Sequence, residues 1–218
     1  METRTRAKRG ESLPRSAFLL AFDLRKEKLA NRRELGYLLR AAALAELMMG
    51  GNLADESGKA RAVTAPAADA GSLQVAVWEQ IASSPPRSWR GWIGKDRSHA
   101  YRLVRDELAA AGLIRVERRR ILLFPVERIT PRRPYVSRRL AERVGRAVRG
   151  SQPIGRLGPD VRVLAALAIA ARLKAALSRR ERHLHKERIE QLSKPVGPIA
   201  TALRKSVEAA RRDASGGG

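Results

Sequence analysis

Residues 35–49 read LGYLLRAAALAELMM, and the fold class turns on them. Across these fifteen positions only Arg40 and Glu46 are charged, and the run stops at Gly50-Gly51, the pair that most readily closes a helix in the left-handed region. A helix over 32–49 that is apolar almost all round must be enclosed by others, so the stretch predicts a central helix inside a helical shell. The surrounding chain supplies that shell. Alanine and leucine are abundant and aromatics make up only 4%, which favours helix packing over a sandwich of β-branched and aromatic residues. With 218 residues and 44% hydrophobic content, the expectation is a mainly α, single globular domain with one or two short β-hairpins.

Outward from 35–49, Ser12-Leu13-Pro14 opens a short helix through Phe22, and 23–31 is a turn. Residues 52–68 suit a hairpin or loop around Ser57-Gly58, and 72–83 a helix ended by Pro85-Pro86. A tryptophan-bearing loop is expected over 87–96 and a helix over 97–111 with Gly112 as its stop. A hairpin follows, with strands 113–118 and 121–129 around a turn at Arg118-Arg119-Arg120. Helices over 135–148, 159–177, 179–192 and 198–212 complete the chain. Residues 1–11 read as a disordered basic N-terminus, 12–212 as the folded domain and 213–218 as a flexible tail. The apolar runs at 17–22 and 163–171 are too short for a secretory core or a membrane span, so neither a signal peptide nor a transmembrane segment is expected.

Charge is the outlying property. Forty-five Lys and Arg against 22 Asp and Glu leave +23, and 36 of the cations are arginine. That excess points to a polyanionic partner, a membrane surface or a nucleic acid, although Arg and Ala also rise together in high-GC bacterial genomes. Residues 115–149 hold 12 arginines and three glutamates. There are no cysteines, which removes disulfides, thiolate metal sites and cysteine nucleophiles. No HExxH, GxSxG or phosphate-loop pattern is present, and His183 and His185, two apart on a helix, cannot share one metal. The chain is expected to be no enzyme and to carry no metal or cofactor.

Arg40 interrupts the apolar helix, where an unpaired guanidinium is costly, so it must meet an anion. Two partners remain open at this point: a carboxylate such as Glu46, or a phosphate, which the planar fork of arginine suits. The unit 97–129 also imitates a winged helix, and DNA binding is the alternative function. Within the hairpin, Ile121, Leu122, Leu123 and Phe124 form a continuous apolar run beside Arg118, Arg119 and Arg120, which suits insertion into lipid or against a second subunit.

The ordered blocks Leu39-Arg40-Ala41-Ala42-Ala43-Leu44-Ala45-Glu46-Leu47 with Gly51-Asn52-Leu53, then Trp92-Ile93, Leu108 with Gly112-Leu113-Ile114, Ile121 to Phe124, and Asp160 to Leu167 resemble the Golgi phosphoprotein 3 family over about residues 12–212. Those are helical proteins that read phosphatidylinositol 4-phosphate on cytoplasmic membrane faces. The resemblance implies a peripheral protein on the cytoplasmic face of a membrane, with a headgroup pocket made of Arg40 and arginines of the helix before the hairpin. The family positions on that helix fall near Ser98 and Tyr101, with Arg97, Arg102 and Arg105 within a turn of them; the family tryptophan falls on Asn31. It also implies a hairpin, here residues 118–124, that engages membrane and neighbouring subunits.

Overall fold

The computed structural model describes residues 12–26, 28–30, 32–121, 124–173 and 177–215. Along the chain run α1 (Leu13–Leu20), β1 (Phe22–Asp23), β2 (Lys28–Leu29), α2 (Arg32–Met49), β3 (Leu53–Glu56), β4 (Lys59–Ala62), α3 (Ser72–Ala82), β5 (Arg87–Ser88), α4 (Trp89–Gly94) and α5 (Arg97–Ala110). They are followed by β6 (Ile114–Ile121), β7 (Phe124–Pro131), α6 (Pro134–Arg149), α7 (Pro159–Ala170), α8 (Arg179–Leu184), α9 (Lys186–Ser193) and α10 (Gly197–Ser215). The protein is mainly α with small antiparallel sheets, β1-β2, β3-β4-β5 and β6-β7.

Helix α2 occupies the centre, in contact with α1, α3, α4, α5, α7 and α10. Its alanines 41–43 and leucines 35, 38, 39 and 44 are fully buried, because a cylinder packed on all sides can present apolar groups all round. The helix ends as Gly50-Gly51 demands: Gly51 takes φ +73°, its N–H bonds the carbonyl of Met48, and Asn52 N–H closes on Leu47 at 2.8 Å. Glu46 faces out of this core toward α1 and α3. Its carboxylate accepts from Leu13 N–H at 2.8 Å and from Gln74 Nε2 at 3.0 Å, joining three helices.

Three local readings are corrected. Residues 87–96 are not a loop: Ser88 accepts from Gly91 N–H, and burial of Trp89, Trp92 and Ile93 carries α4 despite its glycines. The stretch 159–177 is not one helix, since α7 ends at Ala170. Arg172 adopts φ +53° with the same two closing bonds that glycine makes after α2, to Ile169 and from Leu173 to Ala168, so a non-glycine residue ends the helix where no glycine marked it. Likewise 179–192 breaks at His185 into α8 and α9.

A fourth correction bears on function. Arg118, Arg119 and Arg120 are not the hairpin turn; they lie in β6, paired with Glu127, Val126 and Pro125 of β7. Buried Ile114 and Ile129 anchor the base of the hairpin and set its register, which runs from Ile114↔Pro131 out to Ile121↔Phe124. Leu122 and Leu123 lie outside the described residues. Helix α10 runs to Ser215, three residues past the helix read from the sequence.

Candidate anion-binding site

One concavity gathers arginines from separate elements. A cleft of about 330 Å³ is walled by Arg32, Arg33 and Gly36 at the start of α2, by Arg97, Ser98, Tyr101, Arg102 and Arg105 along α5, and by Glu127 of β7. Five guanidinium groups surround one carboxylate. Among the described residues Arg33, Arg97 and Arg102 have no carboxylate partner, and Arg33 and Arg102 are exposed.

The backbone geometry explains how these groups meet. A Cβ on Gly36 would stand 2.5 Å from the carbonyl oxygen of Arg97, so only glycine lets the first turn of α5 lie directly against α2. Asp96 precedes that turn at φ +46°, a conformation aspartate tolerates better than most residues. Arg97 is then held beside α2: its Nη1 donates to the Tyr37 hydroxyl at 2.7 Å and its guanidinium lies 4.8 Å from the Tyr37 ring centre. The amino-terminal end of α5 adds its own partial positive charge to the cleft.

Glu127 is the hub of the opposite wall. Arg105, 7% exposed, donates through Nη1 to its Oε2 at 2.6 Å and through Nε to Asp106 at 2.8 Å. The Asp106 bond first, with the charge of Glu127, holds Arg105 above the ordinary arginine pKa despite its burial. Arg32 donates to the backbone oxygen of Glu127 at 3.2 Å and to Oε1 at 3.3 Å, and the Tyr101 hydroxyl donates to Oε1 at 3.2 Å. Burial lifts the Tyr101 hydroxyl to about 12, so it remains a donor. Its ring stacks on Phe18 with Arg32 and Arg105 near its faces. Glu127, through its carboxylate and its backbone carbonyl, thereby ties the hairpin to the arginine cleft.

Arg40 is placed differently. It is 1% exposed and does not line the cleft that holds Arg97, Arg102 and Arg105. Neither does it meet Glu46: Nε donates to the Trp92 carbonyl at 2.9 Å and Nη1 to Gln80 Oε1 at 2.9 Å, while Nη2 is buried without a partner among the described residues. Burial depresses its pKa to about 10, and the charge of Asp96 works against that. Gln80 Nε2 in turn donates to Asp96 Oδ2 at 3.1 Å. Arg40, one helical turn beyond Gly36, thus braces the α4–α5 junction from which Arg97 projects.

The sequence reading found Arg97, Arg102 and Arg105 but missed Arg32, Arg33 and Glu127. A signal was present: Arg32-Arg33 puts two cations in the first turn of α2, where the helix dipole disfavours them, and a bound anion would offset that. For Arg118 to Ile121 and Phe124 the backbone pairing is defined, and Leu122 and Leu123 lie outside the described residues; Asn31 does as well. Among the described residues no cluster of His, Asp and Glu could hold a metal ion, and no helix is long and apolar enough to cross a membrane.

No curated protein matches the chain. The family model described as Golgi phosphoprotein 3 (GPP34) matches residues 13–210, nearly all of the described fold, including the helix that carries Arg40, the arginine-bearing α5 and the hairpin after it. The chain therefore belongs to the Golgi phosphoprotein 3 family, a phosphoinositide-binding family.

Proposed function

We propose that this protein docks peripherally on membranes by taking the phosphorylated headgroup of phosphatidylinositol 4-phosphate, or a related anionic phospholipid, into the cleft between α2, α5 and β7. The observation that carries this reading is the excess of charge in that cleft, five arginines to one carboxylate, with three of the five lacking a carboxylate partner among the described residues. Arginine forks suit phosphate oxygens, and each cation near an anionic bilayer contributes about 1 kcal/mol. Arg97 and Arg102 act as ligands, joined by Arg33. Arg105 is largely committed to Glu127 and Asp106, and it positions more than it binds. Arg40 holds the α4–α5 junction in place, with its Nη2 amino group to spare for a phosphate that reaches it.

The hairpin lies beside the cleft through Glu127, and its apolar end, Ile121 to Phe124, enters the bilayer while Arg118, Arg119 and Arg120 lie at the headgroup level; the same end serves contact between copies on the membrane. The role is non-enzymatic binding on the cytoplasmic face. Vesicle flotation tests it, comparing phosphatidylcholine alone with phosphatidylcholine carrying phosphatidylinositol or phosphatidylinositol 4-phosphate. Binding is expected to rise in that order and to weaken with salt, and equal recovery on neutral vesicles would overturn the reading.

A further inference from the structure

A second and larger cleft, about 950 Å³, opens between α7, α8, α9 and α10, and it shares no residue with the arginine cleft. Its floor is made of small and aliphatic side chains: Ala166, Ile169 and Ala170 of α7 and Ala200 of α10. Arg172, Arg182, Lys186, Lys194 and Arg204 stand around it, with Glu190 as the one carboxylate among its lining residues. Arg172 is paired with Glu208 at 2.7 Å, and Lys186 approaches Glu190 at 4.0 Å, an exposed and weak pair. Among the described residues neither Lys194 nor Arg204 has a carboxylate partner. Cations set around a concavity focus a positive potential into it, and here the potential lies over an apolar floor.

We propose that this trench docks an acidic amphipathic helix from a second protein. The distribution of chemistry selects that occupant. Positive charge comes from the turn after α7, from α8, from α9 and the turn after it, and from α10, so the ligand must carry its negative charges along its flanks, whereas a single-headed lipid concentrates them at one end. The floor requires an apolar stripe, and the one ring among the lining residues is the imidazole of His183 beside the cationic wall, with no tryptophan, tyrosine or phenylalanine on the floor, so a polyphosphate or nucleic acid leaves the floor unused. A helix about 10 Å across with apolar residues on one face and carboxylates on both shoulders satisfies floor and walls together. The chain does not supply such a helix to itself or to a copy of itself: residues 1–11 hold four cations against two glutamates, and a second copy brings another +23.

The test uses the full chain and a labelled synthetic peptide of roughly four helical turns, with leucines at i, i+3, i+4 and i+7 flanked by glutamates, beside a scrambled isomer of the same composition. Anisotropy at about 0.15 M salt is expected to show the patterned peptide binding at least about tenfold more tightly than the scramble. The double variant Lys194→Glu, Arg204→Glu is expected to weaken it by about tenfold or more. Thr201→Trp, at an exposed wall position and without change of charge, is expected to weaken it as well. Circular dichroism of both variants and their flotation on phosphoinositide vesicles are expected to stay at wild-type values, which separates failure here from failure of the membrane reading. Equal affinity for both peptides, or unchanged peptide binding in both variants, overturns the proposal. So does binding of monomeric lysophosphatidate that the variants abolish when the patterned peptide does not bind, since the trench would then be a lipid site.

Discussion

Arg105 of α5 and Glu127 of β7 meet at 2.6 Å with both side chains almost enclosed, 8% and 14% exposed, and this contact fixes where the hairpin stands relative to the arginine cleft. Removing one partner of a buried pair strands the other charge, which costs about 3 kcal/mol, toward the low end here because Glu127 keeps Arg32 and Tyr101. Arg105→Met is expected to lower the melting temperature by roughly 6 to 12 °C. The double variant Arg105→Met, Glu127→Leu is expected to lose less than the sum of the two single changes. Strict additivity in calorimetry would show that the pair is not coupled.

The cleft arginines divide into ligands and braces, and the division is measurable. Arg33→Ala and Arg102→Ala, both at exposed positions, are expected to weaken binding to phosphatidylinositol 4-phosphate vesicles by about 1 kcal/mol each with unchanged melting curves. Arg40→Ala leaves Gln80 and the Trp92 carbonyl without their buried donor, so it is expected to lower the melting temperature as well as vesicle binding. If Arg40→Ala abolishes binding with no loss of stability, Arg40 touches the lipid directly. In the same series a duplex DNA shift is expected to show only salt-steep, unselective association, and a sequence-selective site would favour the winged-helix reading instead.

Gly36 offers an independent check on the cleft. Gly36→Ala drives a methyl group into the Arg97 carbonyl, and because the obstacle is backbone it cannot simply swing away. The first turn of α5 must shift, carrying Arg97 with it. Vesicle binding is expected to fall further than for Arg102→Ala, with a loss of about 1 to 3 kcal/mol in stability. A variant with wild-type stability and binding would mean that the α2–α5 approach is looser than the structure has it.

For the hairpin, the described pairing runs out to Ile121 and Phe124, and the proposed apolar end is tested at Leu122 and Leu123. Leu123→Asp is expected to reduce flotation or to shift mass toward monomer in light scattering, while thermal stability changes little. Wild-type flotation and mass for Leu122→Asp and Leu123→Asp alike would leave membrane binding to the arginines alone.

Glu46 predicts a pH effect. Burial raises its carboxyl above the usual value of 4.5, against the bonds from Leu13, Gln74 and Ser12 that pull it down. A carboxyl with a raised folded pKa holds its proton more tightly in the folded chain. Its contribution is therefore full below the unfolded value and is lost as pH rises toward the folded value. Glu46→Gln is expected to gain on the wild type as pH is raised from about 4 upward, at most about 1.4 kcal/mol per pH unit. Parallel melting curves at every pH would refute it.

The run 35–49 determined the architecture by itself. A helix without a polar face has to be surrounded, and Gly50-Gly51 supplied the left-handed residue that ends it, so central position and boundary were both local facts. The same holds for Gly112 after α5, whereas the end of α7 was hidden, because Arg172 takes a left-handed conformation that its residue type does not advertise. Charge excess was legible in composition, whereas Arg97, Arg102 and Arg105 became candidates only through the resemblance of the ordered blocks to the family. What only the tertiary structure decided is which arginines share a space. Arg32 and Glu127 are 95 residues apart and meet because β7 packs beside β2 and the start of α2, and Arg40 turns toward Trp92 and Gln80 because α3 and α4 pack on that face of α2. Spacing along a chain sets the face of a helix, but it carries no information on which distant element that face will meet; packing of the whole core decides it.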